Sequence, residues 1–164
     1  MKKFLFVVAV LSIMGCDKEI DLDAYAYFFS QGSQIELEEN DGFATAKVND
    51  GENVVFTYSL QREEDPSVTD SSYRESIIFE IPENLDTFLY TDRELLDQNT
   101  YFDRSCFCPS EGSIPVEKGT ISGTKIDELQ WNVTISISFD NFGSPDKRQV
   151  DNTFINTITF SFDD

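Results

Sequence analysis

Trp131-Asn132-Val133-Thr134-Ile135-Ser136-Ile137-Ser138-Phe139 alternates apolar and polar residues without a fault. Side chains of a β-strand point to opposite faces in turn. Alternation of this purity therefore describes a strand with one buried face and one wet face. Trp131, Val133, Ile135, Ile137 and Phe139 make the buried row. Phe154, Ile158, Phe160 and Phe162 make a matching row near the C-terminus, interrupted by Asn156. Phe142 to Asn152, with Gly143 and Pro145, reads as the loop between them, so the two strands are expected to pair antiparallel.

The same period recurs upstream. Gly119 to Lys125 reads as a strand whose two glycines let the backbone bend or bulge. In Ser76 to Ile81, Ile77, Phe79 and Ile81 align, and Pro82 ends the run. In Glu52 to Leu60, Val54, Phe56, Tyr58 and Leu60 share one face. Asp50-Gly51 separates this run from Ala44 to Asn49, and Asp-Gly between two β-rich runs predicts a tight hairpin. Tyr25, Tyr27 and Phe29 alternate with Ala24, Ala26 and Phe28. The one helix candidate is Asp92 to Gln98, with Thr91 as cap and Glu94 completing a capping box. Gln61 to Arg74 and Asp103 to Ser113 read as loops. Short strands joined by loops imply an all-β fold. An antiparallel β-sandwich, immunoglobulin-like or similar, is the first expectation and a lipocalin-like barrel the second. A transmembrane barrel fits poorly, because most of the strands are too short.

Composition narrows the chemistry. The chain contains no histidine. That removes Ser-His-Asp and Cys-His catalysis, histidine zinc sites and a histidine pH switch. Its net charge is −19, which repels nucleic acid and anionic membrane, so no nucleic-acid partner is expected. Fifteen Phe, six Tyr and one Trp supply core material, which argues against disorder. A glycosidase needs two positioned carboxylates, and 31 acidic residues offer no pair to single out. The expectation is a protein that is not an enzyme.

The N-terminus carries an address. Lys2 and Lys3 precede an unbroken apolar run, Phe4 to Leu11, followed by Ser12-Ile13-Met14-Gly15-Cys16. A run this short is a signal segment rather than a span, which needs about 20 apolar residues. Ile13, Gly15 and Cys16 resemble the lipobox of bacterial lipoproteins, with Met14 larger than usual at its position. The resemblance implies that residues 1–15 are removed and that the Cys16 thiol receives a diacylglyceryl group. Each methylene buried in the bilayer contributes about 0.8 kcal/mol, and two or three chains anchor stably. The processed chain would carry a net charge of −21, having lost Lys2 and Lys3. Asp17-Lys18-Glu19-Ile20-Asp21-Leu22-Asp23 looks like the acidic export signal of surface lipoproteins of the Bacteroidota. By that resemblance the protein sits in the outer membrane, exposed at the surface. In enterobacteria an Asp after the cysteine instead retains a lipoprotein at the inner membrane, and a solvated tether is a third reading. Residues 16–23 form the tether and residues 24–164 a single β-domain.

Several residues are candidates for a site. Cys106-Phe107-Cys108-Pro109 offers two further thiols. Cys106 and Cys108 are candidates for a disulfide, for free or intermolecular thiols, or for part of a metal site. In an extended strand two residues apart lie about 6.5–7 Å apart at Cα, the upper limit for a bridge, so pairing needs a tight turn. Glu36-Leu37-Glu38-Glu39-Asn40-Asp41 and Glu63-Glu64-Asp65 are candidate calcium ligands, but neither has EF-hand spacing, and in so acidic a chain both read first as solvated faces. No other cofactor or metal is indicated. Tyr73, Tyr101, Phe102 and Phe107 could stack on sugars as a glycan platform, or cover the ends of a sandwich. The first functional expectation is a lipid-anchored envelope domain with a non-enzymatic binding or structural role. It would be held to the membrane by its lipid and would meet a protein or glycan partner. The alternatives are a glycan-binding accessory lipoprotein of an outer-membrane uptake system and a barrel holding an apolar small molecule.

Overall fold

The computed structural model describes residues 23–40, 42–62, 72–106, 112–139 and 152–162. They form β1 (Ala24–Asn40), β2 (Phe43–Arg62), β3 (Tyr73–Pro82), β4 (Thr87–Thr91), α1 (Glu94–Asp97), β5 (Tyr101–Cys106), β6 (Ile114–Pro115), β7 (Lys118–Asp127), β8 (Gln130–Phe139) and β9 (Asn152–Phe162). The class is all-β. One ladder joins the strands in the order β4-β7-β8-β9-β1-β2-β3-β5-β6. The alternating stretch around Ile135 is β8, and it pairs antiparallel with β9 through Trp131↔Phe160 and Val133↔Ile158. The expected antiparallel sheet is corrected at one junction. β1 and β9 run parallel through Phe28↔Ser161 and Phe29↔Phe162, which makes the sheet mixed. No turn links these two strands. Each takes its direction from its own antiparallel partner, β2 or β8.

The hairpin expected at Asp50-Gly51 is also corrected. Asn40 pairs with Phe43, so the turn falls on the other Asp-Gly pair, Asp41-Gly42. Gly42 has φ +87°, a value that favours glycine there. Asp50 and Gly51 instead lie inside β2, where the register against β1 slips around Ser33. Gly51 is needed at that bulge for space, because a Cβ there would come within 2.5 Å of the Gln34 Cβ. Moving the turn to residue 41 gives the long strand on each side a partner along its length. A turn at residue 50 would leave Gln34 to Asn40 unpaired.

Beyond the bulge this hairpin becomes an arm. Ile35 and Ala46 pack with Val55, Ile78 and Tyr101. Alternation places Val55 and Ile78 on the opposite side of the sheet from Phe56 and Ile77. The arm therefore lies over the outer side of β2, β3 and β5. Ser113 ties it down, its N–H donating to the Ala44 carbonyl at 2.7 Å.

The main core fills the inner side. Phe56 of β2 lies 4.9 Å from Phe79, 5.4 Å from Phe160, 5.5 Å from Trp131, 5.7 Å from Phe29 and 5.9 Å from Phe88, centroid to centroid. Phe79 of β3 and Phe88 of β4 touch at 5.9 Å although their strands stand far apart in the ladder. The sheet is thus folded over on itself, with its apolar rows meeting inside. Among the described residues the ladder ends at β4 and β6. Helix α1 is a single turn whose Leu95 is fully buried. Half of the expected capping box forms: Thr91 donates its backbone N–H to Glu94 at 2.8 Å, while its hydroxyl also bonds Glu94 at 3.1 Å.

Candidate functional site

The sequence candidates separate in space. Cys16, Phe107 and Cys108 lie outside the described residues. Cys106 ends β5 opposite Tyr73 and is disulfide-bonded. Its partner lies outside the described residues. Phe102 is 4% exposed within the main core, Tyr101 packs in the cluster under the arm, and Tyr73 lies on the inner face of β3. Tyr73, Tyr101 and Phe102 therefore do not form one platform. Of the acidic run, Glu36 to Asn40 is strand, and Glu36 accepts from the side-chain amides of Gln34 and Asn49, each at 2.7 Å. Among the described residues no three Cys, Asp or Glu side chains are placed to share a metal ion. Glu63 to Asp65 lies outside them.

Three polar arrangements do form. The first is a tyrosine cluster where β1 begins and β2 ends. Tyr25 stacks on Tyr27 at 6.2 Å and Tyr27 on Tyr58 at 5.7 Å. Tyr73 donates its hydroxyl to Glu75 at 2.7 Å, and Arg62 sits 4.7 Å above the Tyr73 ring. Burial raises the pKa of Tyr73 to about 12, with the Glu75 hydrogen bond adding to the effect. Tyr58, which also bonds Glu75, is pushed up for the same reasons. These phenols stay neutral donors, and the carboxylate they share is already used.

The second lies under the arm, where a cleft of about 280 Å³ is lined by Thr45, Arg74, Ser76, Asp103, Ser105 and Gly112. Ser113 accepts from the Ala46 N–H at 2.7 Å and donates to Asp103 at 2.6 Å. Burial raises the Asp103 pKa, while the Ser113 bond and Lys47 pull it back down. Nearby, Glu80 is 8% exposed and accepts from the Ile35 N–H at 2.7 Å and the Asn99 amide at 2.6 Å. The sequence reading passed over Glu80. Its signal is a lone charge in the otherwise apolar run Ile77 to Ile81.

The third is the outer face of β4, β7 and β8. Its outward positions are Thr87, Leu89 and Thr91 on β4, Thr120, Ser122 and Thr124 on β7, and Gln130, Asn132, Thr134, Ser136 and Ser138 on β8, with Lys118 and Asp127 of β7 beside Ser138 and Gln130 at the two ends. Between those two end residues none is charged. Thr87, Leu89, Ser122, Thr124, Asn132 and Thr134 border a cleft of about 430 Å³. No family model, curated protein or solved structure matches the chain.

Proposed function

We propose that this protein is a lipid-anchored domain of the cell envelope that works by contact, through the uncharged outer face of β4, β7 and β8, without transforming its partner. The observation that carries the reading is the partition of charge. In a chain of net charge −19, the charges of this face stand at its two ends, Lys118 and Asp127, and the eleven outward positions between them on three strands carry none. An acidic chain that only needed solubility would spread its carboxylates over such a face. The folded-over ladder is read as a two-layered sandwich. The packing of Phe56 against five rings supports a filled interior over a lumen for an apolar ligand. Anchoring rests on the lipobox at Cys16, outer-membrane display on the acidic stretch after it, and the disulfide of Cys106 is read as closing on Cys108.

The test places charge on the face. Thr124 and Asn132 are directly paired and exposed, so Thr124→Lys with Asn132→Glu sets opposite charges across the pair and is expected to fold as the parent does. Made without the lipid in a Cys16→Ser background, the parent domain should still be retained by isolated cell envelopes and the double variant should not, and equal retention of both overturns the reading. Loss of clickable fatty-acid labelling in Cys16→Ser tests the anchor. A glycan partner is the second reading, favoured by the hydroxyl-lined 430 Å³ cleft, a size typical of small-ligand sites. Binding to an array of neutral oligosaccharides, lost in the same double variant, separates it from a protein partner.

A further inference from the structure

Strand β4 is the long end of the ladder, bonded to β7 alone. Exposed sheet edges template pairing with another strand, and natural proteins blunt them with charge, proline or shortness. Two other edges here are blunted in those ways. β6 is two residues long and ends in Pro115. The arm's share of β1 carries Glu36, Glu38 and Glu39. β4 is Thr87-Phe88-Leu89-Tyr90-Thr91, five residues with no charge and no proline. Leu89, at its centre, is 62% exposed.

The sequence of β4 is symmetric in chemistry: hydroxyl, aromatic, leucine, aromatic, hydroxyl. Its backbone orientation is fixed by two bonds. The Asp92 N–H donates towards β7, to the Gly119 carbonyl, at 2.8 Å. The Thr91 N–H donates away from it, to Glu94, at 2.8 Å. By alternation the backbone groups of Thr87, Leu89 and Thr91 point to the open side. An antiparallel copy centred on Leu89 would then exchange both backbone bonds between the two Leu89 residues. It would set Thr87 opposite Thr91 and Phe88 opposite Tyr90. Phe88 and Tyr90 already stack at 5.6 Å and 22°, so the pairing would continue an existing aromatic row.

We propose that the β4 edge is a two-fold self-association surface whose occupant is a second copy of this chain. The contact needs no ligand on the outer face, although Leu89 also borders the cleft there. Closed two-fold contacts need a self-complementary patch, which the Thr-Phe-Leu-Tyr-Thr pattern supplies. Local neutrality matters because each copy carries a net charge of −19 and repels the other. Screening that repulsion strengthens the contact, so association rises with salt, opposite to an interface built on ion pairs. Glu94 is the carboxylate bonded at the edge, and it occupies the Thr91 N–H that the copy would use.

Sedimentation equilibrium of the purified protein at about 0.05 M and about 0.5 M NaCl tests this, because screening lengths differ severalfold between them. A monomer–dimer equilibrium that tightens at the higher salt is expected. Leu89→Lys sets like charges opposite each other and should weaken it by about tenfold or more. The exposure of Leu89 predicts an unchanged melting temperature for that variant. Glu94→Ala frees the Thr91 N–H and should tighten the dimer. A second readout is cross-linking in the intact envelope. Directly opposed residues in a bonded pair lie about 5.5 Å apart at Cα, within disulfide reach. Leu89→Cys should give a reducible dimer under oxidation that the parent does not. A protein that stays monomeric at both salts and as Leu89→Cys overturns the proposal. So does a dimer indifferent to Leu89→Lys, which would lie elsewhere.

Discussion

On the inner side of β2 and β3, Phe56 and Phe79 stack at 4.9 Å inside a core that draws on seven other elements. On their outer side, the apolar partners of Val55 and Ile78 among the described residues are Ile35, Ala46 and Tyr101 beneath the arm. The two sides of the same strands are therefore held by different means. Inside, apolar area suffices, because aromatic rings bury large surface and their edge and stacked contacts add to it. Outside, the apolar patch is small, and the arm is fastened by polar pins, Glu80 on the Ile35 N–H and Ser113 with Asp103 on Ala46. Regions with few apolar contacts open below the global unfolding free energy. The arm is such a region, and substitutions on the two sides should behave differently.

The largest effect is expected inside. Phe56→Ala leaves a cavity among five rings and should cost about 3–5 kcal/mol, read as a lower urea midpoint for the whole chain. Glu80→Ala should cost less, about 1–3 kcal/mol, because it leaves the Ile35 N–H and the Asn99 amide without their acceptor. Its signature is local. Hydrogen exchange should quicken at arm amides such as Ile35 and Ala46 and hold at Val133 and Ile135 of β8. Equal acceleration in both places would mean that the arm and core open as one unit.

An intermediate effect belongs to the margin of the inner side, at Tyr58 and Tyr73. Their pKa values are raised by burial, so both bind a proton in the fold where the unfolded chain has lost it. Stability from these groups is fully present below about pH 10, the ordinary tyrosine value, and is lost as pH rises through the folded pKa of Tyr73, about 12. The phenolate absorbance of these two residues, taken as the difference from Tyr58→Phe and Tyr73→Phe, should therefore appear together with loss of the fold. Glu75→Gln removes the nearby negative charge and should make the alkaline loss shallower. A difference signal that rises while the fold persists breaks the account.

How legible was this in the sequence? The inner side was nearly complete in it. Trp131 to Phe139, Val54 to Leu60 and Ile77 to Ile81 announce their faces by period, because a half-buried strand has no other way to satisfy both sides. The arm was not legible. Two Asp-Gly pairs, at residues 41 and 50, satisfy the same turn rule. The choice between them depends on where Gln34 to Asn40 finds a partner, a long-range fact. The acidic run there read as candidate calcium ligands or a solvated face, and Glu36 is a strand residue whose charge stays in water. β4 was missed because five residues between turns leave too little period to detect. The glycan candidates failed to converge for a related reason: Tyr101 and Phe102 are neighbours in sequence and so face opposite sides of one strand.

The smallest predicted effect has the most informative sign. Asp103 is a pin on the weaker side, yet burial raises its pKa, so its ionised form is disfavoured in the fold. Between the ordinary carboxylate value and the raised one, the folded chain holds a proton that the unfolded chain has released. Stability from this group is present at acid pH and declines as pH rises through that window. The Ser113 hydroxyl needs only an acceptor, and an amide oxygen provides one without charge. Asp103→Asn should therefore slightly stabilise the protein at neutral pH, by less than Glu80→Ala costs, and the gain should vanish in acid. Thermal melts of both proteins across pH measure the difference. A loss at neutral pH would show that the attraction of Lys47 outweighs the cost of burial. The charge of Asp103 would then count among the fastenings of the arm.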